Sequence, residues 1–260
     1  MIDLHSHLLP GIDDGSRSVQ QSVDALRRFV DLGITDVVLT PHLRAGDIPT
    51  RSEEHIERRD LVRTDLRQHA PEGIRLHAGF EIMLDAPMGP DSLADRRLAL
   101  AGSRYFLVEF PMSVGGAPAT AAIGQIVQSG AVPLVAHPER YFACTLRDFR
   151  SWVSLGAVLQ VDATSMTRPT GRGDMGRKII QAGLAHVLAA DNHGDRRAVL
   201  TGRRYLEERG ATEAAHWLTT ENPKAVLEDR PMAGIAPVKL KLGMGERVKE
   251  WIRDVKGQSG

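Results

Sequence analysis

Met1-Ile2-Asp3-Leu4-His5-Ser6-His7 opens the chain, and this stretch sets the pattern from which the fold is inferred. Apolar Ile2 and Leu4 alternate with polar positions, which is typical of a β-strand. Side chains two residues apart on a strand point the same way, so His5 and His7 face one side together. Two adjacent imidazoles form half of a divalent-metal site. An ordinary strand with solvated or core histidines is the alternative interpretation.

Residue types that bind metals recur along the chain at the ends of apolar runs. The runs near 36–42, 76–81, 105–109, 132–137 and 186–193 end in His42, Glu81, Glu109, His137 and the pair Asp191 and His193. The turn Gly11-Ile12-Asp13-Asp14-Gly15 adds Asp14. Chance does not readily explain such residues at the end of nearly every predicted strand. The sequence therefore predicts one metal-binding cluster built from distant parts of the chain.

Helical patterns alternate with these strands, which predicts an α/β fold with a parallel sheet. Ser18 is a predicted N-cap for a helix that ends at Gly33. Further helices are predicted near 52–69, 91–96, 119–129, 145–155, 174–183, 196–209 and 211–218. A further strand is predicted at 157–162, and the resulting seven strand–helix units imply a closed or nearly closed barrel of the (β/α)7 type. The active site of such a barrel lies at the C-terminal ends of the strands.

Length and composition fit one large globular domain. The 260 residues are 42% hydrophobic and 25% charged, with a formal net charge of +0. Neither nucleic-acid binding nor membrane insertion is therefore indicated. The single cysteine excludes an intramolecular disulfide framework, and the absence of a signal-peptide pattern predicts a cytoplasmic protein. We expect the barrel to span 1–229 and a tail to span 230–260, either as a helix packed on the barrel or as a partly mobile segment.

A set of short motifs resembles the polymerase-and-histidinol-phosphatase (PHP) metallohydrolases. Within that superfamily the chain is similar to the bacterial protein-tyrosine phosphatases encoded with capsule and exopolysaccharide genes. The motifs are Met1–His7, Gly11–Gly15, Thr40-Pro41-His42, Gly79-Phe80-Glu81, His137-Pro138-Glu139-Arg140, Asp191-Asn192-His193 and Thr220-Glu221-Asn222-Pro223. They span roughly 1–225, and the resemblance implies a distorted TIM-like barrel, the PHP fold.

The resemblance also implies three divalent metal ions and their ligands. The first would be bound by His5, His7, Glu81 and Asp191, the second by Glu81, Glu109 and His137, and the third by Asp14, His42 and His193. Imidazole and carboxylate without thiolate suit manganese, iron or zinc, and the resemblance favours manganese. Three such ions carry about six positive charges, and the four carboxylates contribute about four negative charges. The excess of about two matches a phosphomonoester dianion.

Catalytic candidates follow from the chemistry of phosphate. Arg140 follows the predicted ligand His137 closely, and its planar fork matches phosphoryl oxygens. Family members carry a further arginine beyond the last Asp-x-His motif, and here Arg196 and Arg197 are both candidates for it. Asp13 or a metal-bound water would protonate the tyrosine leaving group. A surface salt bridge is the alternative role for Arg140.

Several functions compatible with this pattern remain open at this stage. The resemblance implies a phosphotyrosine protein as substrate, with a bacterial tyrosine autokinase of polysaccharide export as partner. A small-molecule phosphatase of the histidinol-phosphatase type, a metal-dependent phosphodiesterase or nuclease, and a non-enzymatic regulatory barrel are the alternatives. Cys144 and Arg150 have the spacing of a cysteine-dependent phosphatase. The intervening residues instead predict a helix capped by Thr145, so a thiol mechanism is rejected.

Overall fold

The computed structural model describes residues 1–241, in which parallel strands are surrounded by helices. The strands are β1 (Ile2–Ser6), β2 (Asp36–Leu39), β3 (His42–Arg44), β4 (Arg75–Ala78), β5 (Glu81–Met83), β6 (Tyr105–Glu109), β7 (Val132–Ala136), β8 (Val158–Asp162) and β9 (Val187–Ala189). They form two sheets, ordered β1-β2-β4 and β3-β5-β6-β7-β8-β9. Every strand pair is parallel, which confirms the predicted α/β fold with a parallel sheet.

Two predicted strands are each split into two shorter strands. The run at 36–42 is divided between β2 and the first residue of β3, and the run at 76–81 is divided between β4 and the first residue of β5. His42 and Glu81 therefore begin a strand, whereas the sequence predicted that each would end one. Pro41 lies in the first break, and it has no N–H to donate to a neighbouring strand. Gly79 lies in the second break, where a Cβ atom would approach Leu100 and Val38 to 2.9 Å. The chain therefore bends at both points, and each bend precedes a candidate ligand, His42 or Glu81.

The first and last strands approach each other at their carboxyl ends. Ser6 forms a parallel bridge with Asn192, and the His7 amide donates to the Asn192 carbonyl at 2.7 Å. This contact brings the ends of β1 and β9 to the same place. The two sheets are thus linked near the residues that the sequence marks as ligands.

Helices connect the strands in the predicted alternation. They are α1 (Val19–Asp31), α2 (Ile48–His69), α3 (Pro90–Ala94), α4 (Gly116–Gln128), α5 (Leu146–Leu155), α6 (Gly171–Gln181), α7 (Val199–Glu208), α8 (Thr212–His216) and α9 (Asn222–Leu227), with a π-helix at Trp217–Glu221. The Ser18 side chain accepts a hydrogen bond from the Gln21 amide, which confirms the predicted N-cap of α1. Among residues 1–241, none of the helices combines the length and apolar character needed to cross a bilayer.

The core lies between the strands and the inner faces of the helices. All residues of β1, β2 and β8 are buried, as is usual for parallel strands covered on both faces, although β1 and β8 also carry polar residues. Trp152 and Phe149 of α5 are fully buried in this core. Burial of the strands on both faces leaves their ends as the place where polar side chains can gather.

The segment at 230–241 has neither helix nor strand, yet it contacts the rest of the protein. The Val238 amide donates to the Gln181 carbonyl at 3.1 Å, and the Lys241 amide donates to the Arg209 carbonyl at 3.1 Å. Ile235 is buried in the core. The apolar and basic pattern at 246–256, from which a packing helix is inferred, lies outside the described residues.

Candidate metal centre

Four buried side chains converge between β1 and the end of β9. The Nε2 atoms of His5 and His7 lie 3.1 Å apart. Both lie 3.2–3.3 Å from Oε2 of Glu81 and 3.4 Å from Oδ1 of Asp191. Two imidazole nitrogens and two carboxylate oxygens therefore point at one small volume. Imidazole nitrogens and carboxylate oxygens in this arrangement suit a divalent cation, and they correspond to the first ligand set that the family resemblance implies.

Glu81 extends this cluster towards the ends of β6 and β7. Its Oε1 atom lies 2.9 Å from Nε2 of His137, and its Oε2 atom lies 3.0 Å from Nδ1 of His42. Glu109 lies 3.8 Å from His137 and 3.6 Å from His42. The two oxygens of Glu81 thus face different donor groups, as expected of a carboxylate that bridges two ions.

A third group of candidate ligands lies on the more solvent-exposed side of the cluster. Oδ1 of Asp14 is 3.3 Å from Nε2 of His42 and 3.5 Å from Nε2 of His193. The Asp14 side chain is 70% exposed and that of His42 is 40% exposed, so solvent reaches this part of the cluster. His7 is close enough to the same three residues to share a cation with them. The structure therefore brings together all nine residues predicted as ligands.

Strand register and backbone conformation position these side chains. His42 and Glu81 are the first residues of β3 and β5, and they lie opposite each other just beyond the carboxyl ends of β2 and β4. His137 and Asp191, which follow β7 and β9, have positive φ angles of 34° and 49°. Left-handed backbone is uncommon for residues other than glycine. Both residues thus adopt a costly conformation at the point where their side chains enter the cluster.

Two further polar residues fix the ring orientation of the paired histidines. Oε1 of Gln160 lies 2.9 Å from Nδ1 of His5, and Oδ2 of Asp13 lies 2.8 Å from Nδ1 of His7. Each partner leaves Nε2 directed at the cluster, which is how metal-binding histidines are commonly held. Gln160 is not among the residues predicted from the sequence. Its signal was a polar residue inside the apolar run of β8.

The charges in the cluster are strongly coupled. Burial alone would lower the pKa of His5 and His7, but Glu81, Asp191 and, for His7, Asp13 outweigh burial and raise the pKa of both. Burial together with the neighbouring Glu81 raises the pKa of Glu109 to about 7. The protein alone therefore holds crowded carboxylates that depend on protonated imidazoles for charge balance. Divalent cations would provide the same balance, so the donor chemistry fits bound metal ions.

Asp13 has a role in geometry that the sequence analysis did not assign to it. Its Oδ2 atom accepts from the His42 amide at 3.2 Å as well as from His7, and its Oδ1 atom accepts from the Gly15 amide at 3.0 Å. Burial opposes ionisation, but these contacts lower the pKa of Asp13. A carboxylate held in this way is well suited to orient His7 and poorly suited to donate a proton.

The predicted arginines lie in different places. Nη2 of Arg140 contacts the Asp191 carboxylate and lies 3.2 Å from Oδ2 of Asp162. Nη1 of Arg197 lies 3.5 Å from the same Asp191 carboxylate, and its Nε donates to Asp195 at 2.8 Å. Arg196 lines a separate cleft beside α7. Of the two adjacent arginines, Arg197 is therefore the one beside the cluster.

Cys144 lies in an environment unlike that of a nucleophilic thiol. Burial raises its pKa to about 11, and its Sγ atom donates to the Val114 carbonyl at 3.5 Å. The following residues form α5, which begins with a capping box between Thr145 and Asp148. This confirms the predicted helix, and the structure contains none of the features that activate a catalytic cysteine at this position.

A parallel α/β fold with clustered imidazoles and carboxylates at its strand ends defines a class of candidate metal-dependent proteins. Residues 1–228 match the family described as capsular polysaccharide synthesis, CpsB/CapC, and the chain belongs to that family. This result confirms the resemblance to the capsule-associated phosphatases that the sequence motifs indicated.

Named relatives and a solved structure agree with this assignment. Tyrosine-protein phosphatase CpsB of Streptococcus pneumoniae is 27% identical over 88% of this chain and 99% of its own length. Tyrosine-protein phosphatase YwqE of Bacillus subtilis is 27% identical over 93% of this chain and 97% of its own length. A crystal structure from a study of YwqE and CpsB, described as unique metal-dependent tyrosine phosphatases, superposes with a TM-score of 0.76 at 26% identity. That match covers 93% of this chain and 100% of the solved chain.

Proposed function

We propose that this protein is a metal-dependent protein-tyrosine phosphatase that hydrolyses phosphotyrosine monoesters. The observation that carries the proposal is the convergence of His5, His7, Glu81 and Asp191 on one volume, with two arginines beside it. Relatives that cover nearly the whole chain carry the name of this activity. A cationic site flanked by guanidinium groups suits a phosphomonoester dianion better than a neutral amide or ester.

We further propose that the two sheets form one distorted, seven-stranded PHP barrel. The paired segments β2 with β3 and β4 with β5 would each act as one bent strand of that barrel. The bridge between Ser6 and Asn192 supports closure between β1 and β9. This arrangement gives a physical reason why ligands distant in sequence gather at one end.

The proposed cofactor is a set of three divalent ions, with Mn²⁺ as the native metal and Fe or Zn as alternatives. We assign the ligands in three sets, of which the first is His5, His7, Glu81 and Asp191, the second is Glu81, Glu109 and His137, and the third is Asp14, His42 and His193. When bound, such ions supply Lewis acidity and lower the pKa of water at neutral pH. His7 is also within reach of the Asp14 set, but Asp13 holds its Nδ1 atom, so its Nε2 atom would bind one ion only.

The protein's own residues would bind and orient the substrate. Arg140 and Arg197 both contact the Asp191 carboxylate, and they present guanidinium groups that match phosphoryl oxygens. Asp13 and Gln160 would keep the histidines of β1 in a fixed orientation. We therefore assign Asp13 to positioning, and we leave the proton for the tyrosine leaving group to solvent.

The proposed physiological substrate is a phosphotyrosine protein, and we propose a cytoplasmic tyrosine autokinase of polysaccharide export as that partner. Membership of the CpsB/CapC family supports a link to capsule synthesis. Because a protein substrate presents its phosphotyrosine on an exposed segment, an open site such as the Asp14 side of the cluster suits it.

Phosphate release from a panel of substrates tests this proposal. We would compare a phosphotyrosine peptide, a phosphoserine peptide, histidinol phosphate and a phosphodiester, each with and without added Mn²⁺. Fast, metal-dependent turnover of the phosphotyrosine peptide is expected. Preference for histidinol phosphate or for the diester would instead show another hydrolase of the same metal chemistry.

Ligand variants test the metal assignment separately. His5→Ala, His42→Ala and Asp191→Ala should each lower bound metal, measured by elemental analysis, and reduce kcat/KM at least about 100-fold. His69→Ala is the matched control, because His69 is an exposed histidine at the end of α2. Full metal content and turnover in all three ligand variants would contradict the assignment.

A further inference from the structure

A cleft of about 760 Å³ lies beside the candidate metal centre. Four arginines line it, and they are accompanied by Asp162 and Asp195. The arginines are Arg140, Arg168, Arg172 and Arg197. Arg140 and Arg197 also contact Asp191 of the metal cluster, so the cleft borders that cluster.

The four arginines differ in their partners. The guanidinium groups of Arg140 and Arg197 are paired with Asp162, Asp191 and Asp195. Within residues 1–241, by contrast, the structure places no carboxylate at ion-pair distance from Arg168 or Arg172. Both side chains are exposed. This part of the cleft therefore carries an uncompensated positive charge.

The backbone that carries Arg168 is held firmly. Nη1 of Arg177 donates to the carbonyls of Met166 and Arg168, at 2.6 Å and 3.0 Å. A Cβ atom at Gly173 would lie 2.1 Å from the Arg168 carbonyl, so this loop packs directly on α6. The side chain of Arg168 can thus meet a ligand without the cost of ordering its backbone.

Arg172 contacts the loop that follows β6. Its Nη2 atom is 3.6 Å from Sδ of Met112, in the loop that follows the predicted ligand Glu109. Met112 is itself 55% exposed. The guanidinium is thus placed between the β6 end and α6, where a peptide leaving the metal centre through this cleft would pass it.

We propose that Arg168 and Arg172 form a second anion-binding subsite that selects substrates with an acidic side chain near the phosphotyrosine. This inference rests on the proposed phosphotyrosine phosphatase activity. Successive residues of an extended peptide advance by about 3.3–3.6 Å, so a carboxylate one to four positions away can reach the cleft. Contacts of this kind are solvent-exposed, and they would act mainly on substrate binding rather than on the reacting atoms.

Two phosphotyrosine peptides of equal length test the subsite. One carries aspartate or glutamate at flanking positions, and the other carries glutamine or asparagine at the same positions. We expect wild-type kcat/KM to be about 3- to 10-fold higher for the acidic peptide, mainly through a lower KM. The double variant Arg168→Gln with Arg172→Gln should bring this ratio close to one.

Added salt tests whether the preference is electrostatic, and a control variant distinguishes a local subsite from general charge attraction. At about 1 M salt the Debye length is about 3 Å, so the wild-type preference should shrink. Arg67→Gln removes an equal charge from an exposed arginine in a cleft near Arg75, at the amino-terminal end of β4. This control should keep the wild-type ratio between the peptides.

Failure of the subsite and failure of the proposed function give different results. Metal-dependent turnover of both phosphotyrosine peptides with equal kcat/KM in the wild type would overturn the subsite alone. The subsite is also overturned if Arg67→Gln lowers the ratio as much as the double variant does. Absence of turnover for every phosphotyrosine substrate, with added Mn²⁺, would overturn the proposed function itself.

Discussion

Arg140 and His5 contact opposite oxygens of the same carboxylate, that of Asp191. Nη2 of Arg140 pairs with Oδ2, whereas Nε2 of His5 lies 3.4 Å from Oδ1. Burial would raise the pKa of Asp191, but His5, His7 and Arg140 together hold it well below its ordinary value. Asp191 therefore stays ionised and joins the metal cluster to the arginine-lined cleft.

Removal of Arg140 should therefore affect catalysis and leave metal binding intact. Arg140→Ala should lower kcat/KM for a phosphotyrosine substrate by about 100- to 1,000-fold, because one charge-assisted contact to phosphate is lost. Bound metal should stay near the wild-type level, since His5, His7 and Glu81 remain in place. Steady-state kinetics together with elemental analysis of the same sample would measure both quantities.

A lysine at the same position separates charge from geometry. Arg140→Lys should recover only part of the lost activity, because an ammonium group lacks the two-pronged fork of a guanidinium. Inorganic phosphate should inhibit the alanine variant less than it inhibits the wild type. Unchanged turnover and phosphate inhibition in Arg140→Ala would mean that Arg140 only stabilises Asp191.

Asp13 gives a second prediction, through its contact with His7. Asp13→Ala should weaken metal binding about 10- to 100-fold, because the His7 ring loses the acceptor that fixes its orientation. Asp13→Asn should be milder, since an amide oxygen can still accept from Nδ1. Metal titration of the metal-free protein would measure the affinities. A large loss of kcat at saturating metal, with unchanged affinity, would instead indicate that Asp13 donates a proton.

Sequence reasoning could find the candidate ligands because it relied on a geometric rule. The ends of parallel strands meet at one edge, so His42, Glu81, Glu109 and His137 could be grouped from the positions of their strands alone. The helices could be predicted for a similar reason, since capping residues such as Ser18 act through neighbouring atoms. These features depend on local periodicity, which a single sequence displays.

Other features depend on contacts between distant residues and could not be read from the sequence. Gln160 meets His5 across 155 positions, and Asp162 meets Arg140 only because β8 lies beside β7. The choice between Arg196 and Arg197 depends on the direction of each side chain in one loop. The splitting of the strand near Gly79 depends on its approach to Leu100 and Val38.

Cys144 provides a third prediction, which separates metal chemistry from thiol chemistry. Cys144→Ser should leave kcat/KM within about twofold, because the thiol is buried and its raised pKa of about 11 keeps it protonated. A metal chelator should abolish turnover of wild type and variant alike, and added Mn²⁺ should restore it. Loss of activity in the serine variant, with chelator resistance in the wild type, would establish the opposite chemistry.

His186 gives a prediction about stability rather than catalysis. This histidine is buried, and its Nδ1 atom accepts from the Leu159 amide at 3.3 Å. Burial lowers its pKa to about 4 from the model-peptide value of 6.5. The unfolded chain therefore binds a proton more readily than the folded protein, so the stabilising contribution is complete above pH 6.5 and is lost progressively as the pH falls towards 4.

The size of this effect follows from the two pKa values. Between pH 7 and pH 5, His186 should cost the folded state roughly 2 kcal/mol, since one pKa unit corresponds to about 1.4 kcal/mol. Urea unfolding of the chelator-treated protein at both pH values would give the free energy of unfolding. His186→Leu cannot titrate, so its loss of stability over that range should be smaller than that of the wild type by about this amount. Parallel pH dependences in the two proteins would show that His186 is not protonated on unfolding, because other titrating groups cancel in the comparison.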